Sequence, residues 1–348
     1  MCMSNDGRDR TTRCDFCRLP CPEPTLSLDR SGVSYEFCSE ACRDALRDSD
    51  RVFTEYHGHR RVSPGVSGLD TALPEGMPRN SFVLIRGQAG TRDTELHAEL
   101  VWRTLQRGEP AVIVSFREPP TSVVERFLTL DWNVLPSLER GQLRIVDCFT
   151  DRLDNPDRLF DRMNDWNRHL HGVTEPASID VRNPRDTAEI ESKLDDALDE
   201  SGMVDEGIVV IDSLTEFGTL VQPVQAYDFV KNVRADVCKG RFVPIFAGAT
   251  PGPERDVFPH DLEYIADGIV DLAMDDSLVE HTLIKRIRIR KMSGVLVYAE
   301  WVAYEYTAEQ GMVTFSPAEE MNGDDETSST EPDGSASTDD TDGDVSES

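Results

Sequence analysis

Two places in this chain combine residue types and spacings that can do chemistry. Near the start, Cys14 and Cys17 form a C-x2-C pair, twenty residues intervene, and Cys38 and Cys42 form a C-x3-C pair. Two short-spaced thiolate pairs, each clamping from one turn, are what a tetrahedral zinc site needs. A four-cysteine site is closed and therefore structural, and a module this small depends on its metal to fold. The alternatives are disulfides, which are rare in the cytosol, or buried free thiols. Cys21 is a spare thiol that could replace Cys17 as a ligand or stay free, and His57 and His59 read as a solvent-facing linker.

The second place is the run from Gly87 to Thr94, which reads GQAGTRDT. In a phosphate-binding loop, glycines let backbone N–H groups face the phosphates at a helix N-terminus. A lysine then neutralises the β and γ charges, and the threonine after it holds Mg²⁺. Gly87, Gly90, Thr91 and Thr94 fit that pattern, whereas Arg92 stands at a glycine position and Asp93 at the lysine position. A unit charge pair near 4 Å is worth about 4 kcal/mol at an effective dielectric of about 20, and here its sign is reversed. That outweighs one or two retained backbone hydrogen bonds of roughly 1.5–3 kcal/mol each. Tight ATP–Mg binding in the usual pose is therefore disfavoured. Arg92 could reach phosphates from the neighbouring position, although its Cβ sits where close backbone approach needs glycine. Asp93 equally suits the first turn of a helix through the dipole.

The elements that must position these groups are legible as apolar runs bounded by turns. SFVLIRG, AVIVSF, QLRIVDCF, GIVVIDS, FVPIFAGA and GIVDLAM read as strands buried on both faces. Helical patterns such as 95–107 and 186–200 lie between them, so the class is α/β with a mostly parallel sheet. The run IKRIRIRKMSG alternates Ile287 and Ile289 with arginines and predicts a half-buried strand with one basic face. Ser39 is the expected N-cap of a helix reading SEACRDALRD.

Composition bounds the rest. The formal net charge is −30, and the segment from Pro317 to Ser348 carries twelve acids and no basic residue. It cannot bury enough apolar surface to offset chain entropy and is expected to be disordered. Lysine occurs only at 193, 231, 239, 285 and 291, arginine supplying the remaining cations. Such a surface resembles proteins of organisms that accumulate molar salt, where a Debye length of about 3 Å screens self-repulsion. Nucleic acid is disfavoured as a partner. The N-terminus has no apolar stretch of a secretory signal and no run of about 18 apolar residues exists, so a cytoplasmic location is expected and no membrane span.

The ending Y-x-F-C-S-x-x-C, from Tyr35 to Cys42, resembles TRASH-type treble-clef zinc modules. From Val62 to about Phe315 the chain resembles KaiC-type members of the RecA superfamily in the order and spacing of five segments. These are the entry VSPGVSGLDTALPEGMPRN, the phosphate loop, VSFREPP, GIVVIDSLTEF, and the closing LEYIADGIVDLAM with IKRIRIRKMSGV. The resemblance implies a RecA-like three-layer core and a hexameric ring. It also implies that Asp212 would hold Mg²⁺ through water and that Glu118 is the second of two glutamates that polarise the attacking water. Arg117 occupies the first glutamate position. Lys291 keeps the lysine of the closing K-x-R-G, which in relatives reaches a neighbouring subunit's nucleotide, while Ser293 replaces its arginine. Loop lysine, first glutamate and closing arginine are thus altered together. The bland readings are a strand-end cap for Asp212, an exposed loop acid for Glu118 and a solvated basic strand for the arginines.

The expected organisation is a disordered 1–11, a four-cysteine zinc module at 12–48, a linker at 49–61, a RecA-like domain at 62–316 and a disordered acidic tail at 317–348. The expected function is that of a degenerate, non-hydrolysing relative acting as a regulatory or partner-binding module with structural zinc and an unknown protein partner. One alternative is an atypical ATPase using Arg92 and Glu118; another is a metal-responsive or DNA-associated regulator.

Overall fold

In the computed structural model the described residues are 12–48, 60–251, 258–279 and 282–317. The expected disordered N-terminus, most of the linker with His57 and His59, and the tail beyond Pro317 lie outside them.

The cysteine segment folds as an antiparallel hairpin, β1 (Leu26–Arg30) and β2 (Val33–Phe37), followed by α1 (Glu40–Asp48). Ser31 and Gly32 both take positive φ (53° and 80°), the two-residue turn whose twist suits a tight hairpin. Ser39 accepts the N–H of Cys42 at 3.3 Å, as a helix cap should. The apolar interior of this segment is small: Cys14, Cys21, Phe37 and Leu46 are its buried hydrophobic residues.

The remainder opens with β3 (Arg61–Val62), so pairing begins at the last residue of the expected linker. Helix α2 (Ser67–Ala72) follows, and β4 (Met77–Pro78) returns antiparallel to β3. The large sheet takes β5 (Phe82–Gly87), β6 (Ala111–Ser115), β7 (Leu143–Asp147), β8 (Ser178–Asp180), β9 (Ile208–Ile211), β10 (Ile245–Ala249), β11 (Gly268–Val279), β12 (Thr282–Met292), β13 (Val302–Thr307) and β14 (Gly311–Phe315). Its order is β14-β13-β12-β11-β5-β10-β9-β6-β7-β8. From β11 to β8 every pairing is parallel; β12, β13 and β14 extend the sheet antiparallel. The helices are α3 (Asp93–Gln106), α4 (Pro120–Thr129), α5 (Leu135–Glu139), α6 (Pro156–Asp161), α7 (Asp165–Thr174), α8 (Thr187–Glu200), α9 (Leu214–Leu220) and α10 (Pro223–Val233).

The layers follow from strand alternation. Along β5, Val83 and Ile85 join one core with Leu96 and Leu100 of α3 and Phe127 of α4. Phe82 and Leu84 join a second core with Ile190 of α8, Phe217 of α9 and Phe229 of α10. A strand buried on both faces needs an unbroken apolar run, which is why these segments do not alternate in sequence. Each such side chain contributes about 1.5–3 kcal/mol on burial, and two contiguous cores of them hold the sheet. The strand β12 is half-buried with one basic face, and carboxylates meet that face: Arg288 meets Asp271 at 3.1 Å and Arg290 meets Glu263 at 2.8 Å, while Arg286 bonds Asp275. No helix among the described residues is long and apolar enough to cross a membrane.

Candidate functional site

The two chemical centres lie on different scaffolds. In the first, the sulfurs of Cys14, Cys17, Cys38 and Cys42 all lie within 4.8 Å of one another. Cys17 and Cys38 are 3.4 Å apart and Cys38 and Cys42 3.8 Å. Tetrahedral zinc with bonds of about 2.3 Å demands sulfur separations of about 3.8 Å, so the set fits the ion. The hairpin and the start of α1 bring the two pairs together.

Thiol acidity in this cluster is split. Burial raises the Cys14 thiol, but N–H groups of Cys17, Cys38 and Phe16 outweigh it and bring it down to about 7. Cys17 is pushed up to about 12, first by burial and then by the neighbouring Cys38, Cys14 and Cys42. Four adjacent thiolates cannot coexist without a cation among them, and a divalent ion supplies that charge. Cys21 is not one of the four converging sulfurs; it packs beside Phe37 and Leu46 in the module's interior.

The second centre sits at the carboxyl ends of β5, β6 and β9. The loop from β5 into α3 turns through left-handed backbone: Gly90 takes φ 89°, and Arg92 holds φ 57° and ψ 45°, a conformation that suits glycine. Thr91 is buried, its hydroxyl donates to the Gln88 carbonyl at 2.6 Å, and the Tyr304 hydroxyl donates to the Thr91 carbonyl. Thr94 donates to Glu95 at 2.8 Å. The Arg92 side chain reaches towards β13, its Nε 3.9 Å from Glu305.

Asp93 turns inward. Its Cβ packs against Gly87, where any added Cβ would lie 2.6 Å from it. Its carboxylate accepts a hydrogen bond from the Arg117 guanidinium at 3.2 Å. The anion at the lysine position is therefore neutralised by the cation at the first glutamate position. Glu118 bonds Arg126. Burial raises its carboxyl, Arg126 lowers it and Asp212 raises it, for a net upward shift.

Asp212 is 3% exposed and fully engaged. One oxygen accepts the Phe116 N–H at 2.9 Å; the other accepts the Ser115 hydroxyl at 3.1 Å and the Arg117 N–H at 3.2 Å. It ties the end of β9 to the end of β6, and burial pushes its carboxyl pKa above the usual carboxylate range against those bonds. The Lys291 ammonium donates to the carbonyls of Glu263 at 3.0 Å and Ala266 at 2.7 Å.

One residue of this centre had no signal beyond its position four places after Asp93 on α3. His97 is 3% exposed, and neither ring nitrogen has a hydrogen-bond partner. Burial, with Asp93 opposing and Arg117 and Arg126 adding, lowers it to about 3, so it is a neutral imidazole beneath the Asp93–Arg117 pair. Gly248 makes room for it: a Cβ there would stand 2.5 Å from both its Cε1 and the Asp212 carbonyl.

The sequence model of a family described as the KaiC ATPase matches residues 62–319. That of a MYM-type zinc finger with an FCS motif matches residues 8–45, and the tripeptide reads Phe37-Cys38-Ser39 in this chain. The match names the MYM type, not the TRASH type that the ending resembles. A UPF0273 protein of Thermotoga maritima is 26% identical over 256 residues, covering 74% of this chain and 96% of its own length. One from Methanopyrus kandleri is 26% identical over 249 residues, covering 72% and 90%. Among solved structures, a KaiC-like protein of Pyrococcus horikoshii superposes with a TM-score of 0.57 at 17% identity, over 74% of this chain and 99% of that one.

Proposed function

This chain belongs to the KaiC family of ATPases, and from that premise we propose that it does not hydrolyse ATP and acts as a regulatory or partner-binding member carrying a structural zinc module. The observation that carries the reading is the Asp93–Arg117 ion pair. In the family resemblance a cation sits on the loop and an anion at the end of β6; here the two are exchanged. Incoming phosphates would meet Asp93 where they need a positive charge, and Arg117 where a carboxylate would direct water. The remaining elements serve the fold instead: Asp212 clamps two strand ends, Glu118 holds Arg126 and Lys291 holds two carbonyls.

In the proposed assembly the body forms a homo-oligomer, hexameric by family resemblance, and the four cysteines hold zinc as a structural cross-link. The partner is a protein, the compartment cytoplasmic, and the acidic surface an adaptation to high salt. The alternative ATPase reading would need Arg92 to turn from Glu305 to the phosphates and Glu118 to release Arg126. The regulator reading would need Cys21 to enter the metal site from the module's core.

Nucleotide binding and turnover measured in molar KCl decide between the proposal and the ATPase reading. Wild type is expected to show neither, and Asp93→Lys/Arg117→Glu with Arg92→Gly is expected to regain ATP–Mg binding. ATP hydrolysis by wild type that disappears in Asp93→Ala would overturn the proposal.

A further inference from the structure

The second core stops at β11: among the described residues, none from β12, β13 or β14 belongs to it. These three strands pack one face on the first core, through Ile287, Ile289, Tyr304 and Met312. Their other face carries Arg286, Arg288 and Arg290 together with Trp301. The Trp301 ring centre lies 4.4 Å from the guanidinium carbon of Arg288 and 5.2 Å from that of Arg286, within cation–π range of both.

In a chain with 66 acids against 36 lysines and arginines, this face reverses the balance. Its ion pairs set four arginines, the three of β12 and the neighbouring Arg86, against the carboxylates of Asp271, Asp275 and Glu263. Asp271 is shared by Arg288 at 3.1 Å and Arg290 at 3.0 Å, and Glu263 by Arg86 and Arg290. A guanidinium has five N–H donors, so carboxylates shared in this way leave donors over for a further anion. Arg288 and Arg290 keep 33% and 32% of their side chains exposed.

Strand register brings an anion to this place. Phe315 of β14 stands opposite Ala303 of β13, and Ala303 opposite Arg286 of β12. Residues directly opposite share a face, so Phe315 and Arg286 lie level on the same face, about 10 Å apart across β13. Both pairings are antiparallel, so β14 runs parallel to β12 and ends pointing the way that leads from Arg286 to Arg290. The next acids in the chain are Glu319 and Glu320, then Asp324, Asp325 and Glu326. Four residues beyond Phe315 span up to about 13 Å, enough to bring Glu319 to Arg286 or Arg288.

We infer that the acidic segment 319–326 docks on the basic face of β12 in its own chain, its carboxylates taking the arginine donors left over around Trp301. Attachment at the end of β14 makes the contact intramolecular, at an effective concentration in the millimolar range for a short tether, so weak individual ion pairs suffice. The inference does not depend on whether the phosphate loop binds nucleotide.

Acrylamide quenching of Trp301 fluorescence in the full chain tests this, with Trp301→Phe measured in parallel to subtract the other tryptophans. At moderate KCl, Glu319→Gln/Glu320→Gln/Asp324→Asn/Asp325→Asn/Glu326→Gln should raise the quenching constant roughly twofold. Molar KCl should bring wild type to the same value, because the screening length falls to about 3 Å. Neutralising the same number of acids at the far end, Asp339→Asn/Asp340→Asn/Asp342→Asn/Asp344→Asn/Glu347→Gln, should leave quenching at the wild-type value. Unchanged melting temperatures would show that the variants fold. Equal effects of the two sets would reduce the attraction to bulk charge and overturn the inference, as would a Trp301 that neither set exposes. Protection that grows with protein concentration would assign the tail of a second copy and overturn docking within one chain.

Discussion

The cysteine module and the α/β body are held together by opposite means, and the contrast bears on how freely each can change the residues of its chemical centre. In the module one of the four clustered cysteines belongs to the core: Cys14 is among its four buried apolar residues, beside Cys21, Phe37 and Leu46. A core that small is expected to depend on the metal that its cysteines are proposed to hold. In the body, two apolar cores on either side of the sheet carry the structure, and the chemical residues stand at one end of it. There the same positions can carry inverted charges and the strand-to-helix turn still forms. Function is bound to stability in one region and separable from it in the other.

The sharpest way to break this contrast is metal removal. Chelation or Cys38→Ser should unfold residues 12–48, since structural zinc in such modules contributes about 10 kcal/mol or more. Hydrogen exchange should show the module's amides exposed while those of β5, β9 and β10 keep their protection. Joint loss of protection in both regions would refute independent stability.

A smaller effect is expected inside the body, at Asp267. It accepts from Arg234 at 2.8 Å, Lys239 at 3.2 Å and the Phe82 N–H at 3.0 Å, anchoring the start of β5 at the end of the sheet away from the phosphate loop. Asp267→Ala should cost roughly 3–5 kcal/mol in denaturant unfolding, because two cations lose their partner. Burial raises the Asp267 carboxyl, but Arg234, Lys239 and the Phe82 N–H outweigh it and hold it below the usual range. Its stabilising contribution is therefore complete above the unfolded carboxylate value of about 3.9 and fades as pH falls through the lower folded value. Acid titrations of wild type should show that loss, and Asp267→Asn should flatten it.

Reversing one member of the inverted pair should cost less. Asp93→Lys would face Arg117 with a like charge, and both side chains are partly solvated, so about 1–2 kcal/mol is expected. Adding Arg117→Glu should restore the stability. A double-mutant cycle without coupling would mean that the two substitutions are independent.

The smallest effect belongs to Arg92. Relief of its left-handed backbone should gain roughly 1 kcal/mol, nearly cancelled by the roughly 0.5–1 kcal/mol that glycine loses through unfolded-state entropy. Arg92→Gly should leave the melting temperature almost unchanged. A marked fall would show that the Arg92 side chain holds the loop through contacts such as that with Glu305.

Much of this was legible before any coordinates. Apolar runs gave β5, β6, β7, β9 and β10 within three residues at each end, because strands buried on both faces leave no polar interruptions. Cys38 and Cys42 were readable as a pair because their partners lie one turn away. The pairing of Asp93 with Arg117 was not, since twenty-four residues separate them and no local period links a loop after β5 to a turn after β6. His97 was hidden for a related reason: on an amphipathic helix, one histidine among apolar neighbours carries no mark of what lies opposite.

The sequence by itself determined the α/β class, the four-cysteine set and the altered phosphate loop, because periodicity, short spacings and residue charge are local properties of the chain. Only the tertiary structure decided what the altered charges do. Whether Asp93 repels a ligand alone or is neutralised by Arg117, and whether Asp212 clamps the end of β6, depends on which strand ends the sheet order brings together. Coulomb energy follows distance in space, and the sheet, not the chain, sets that distance.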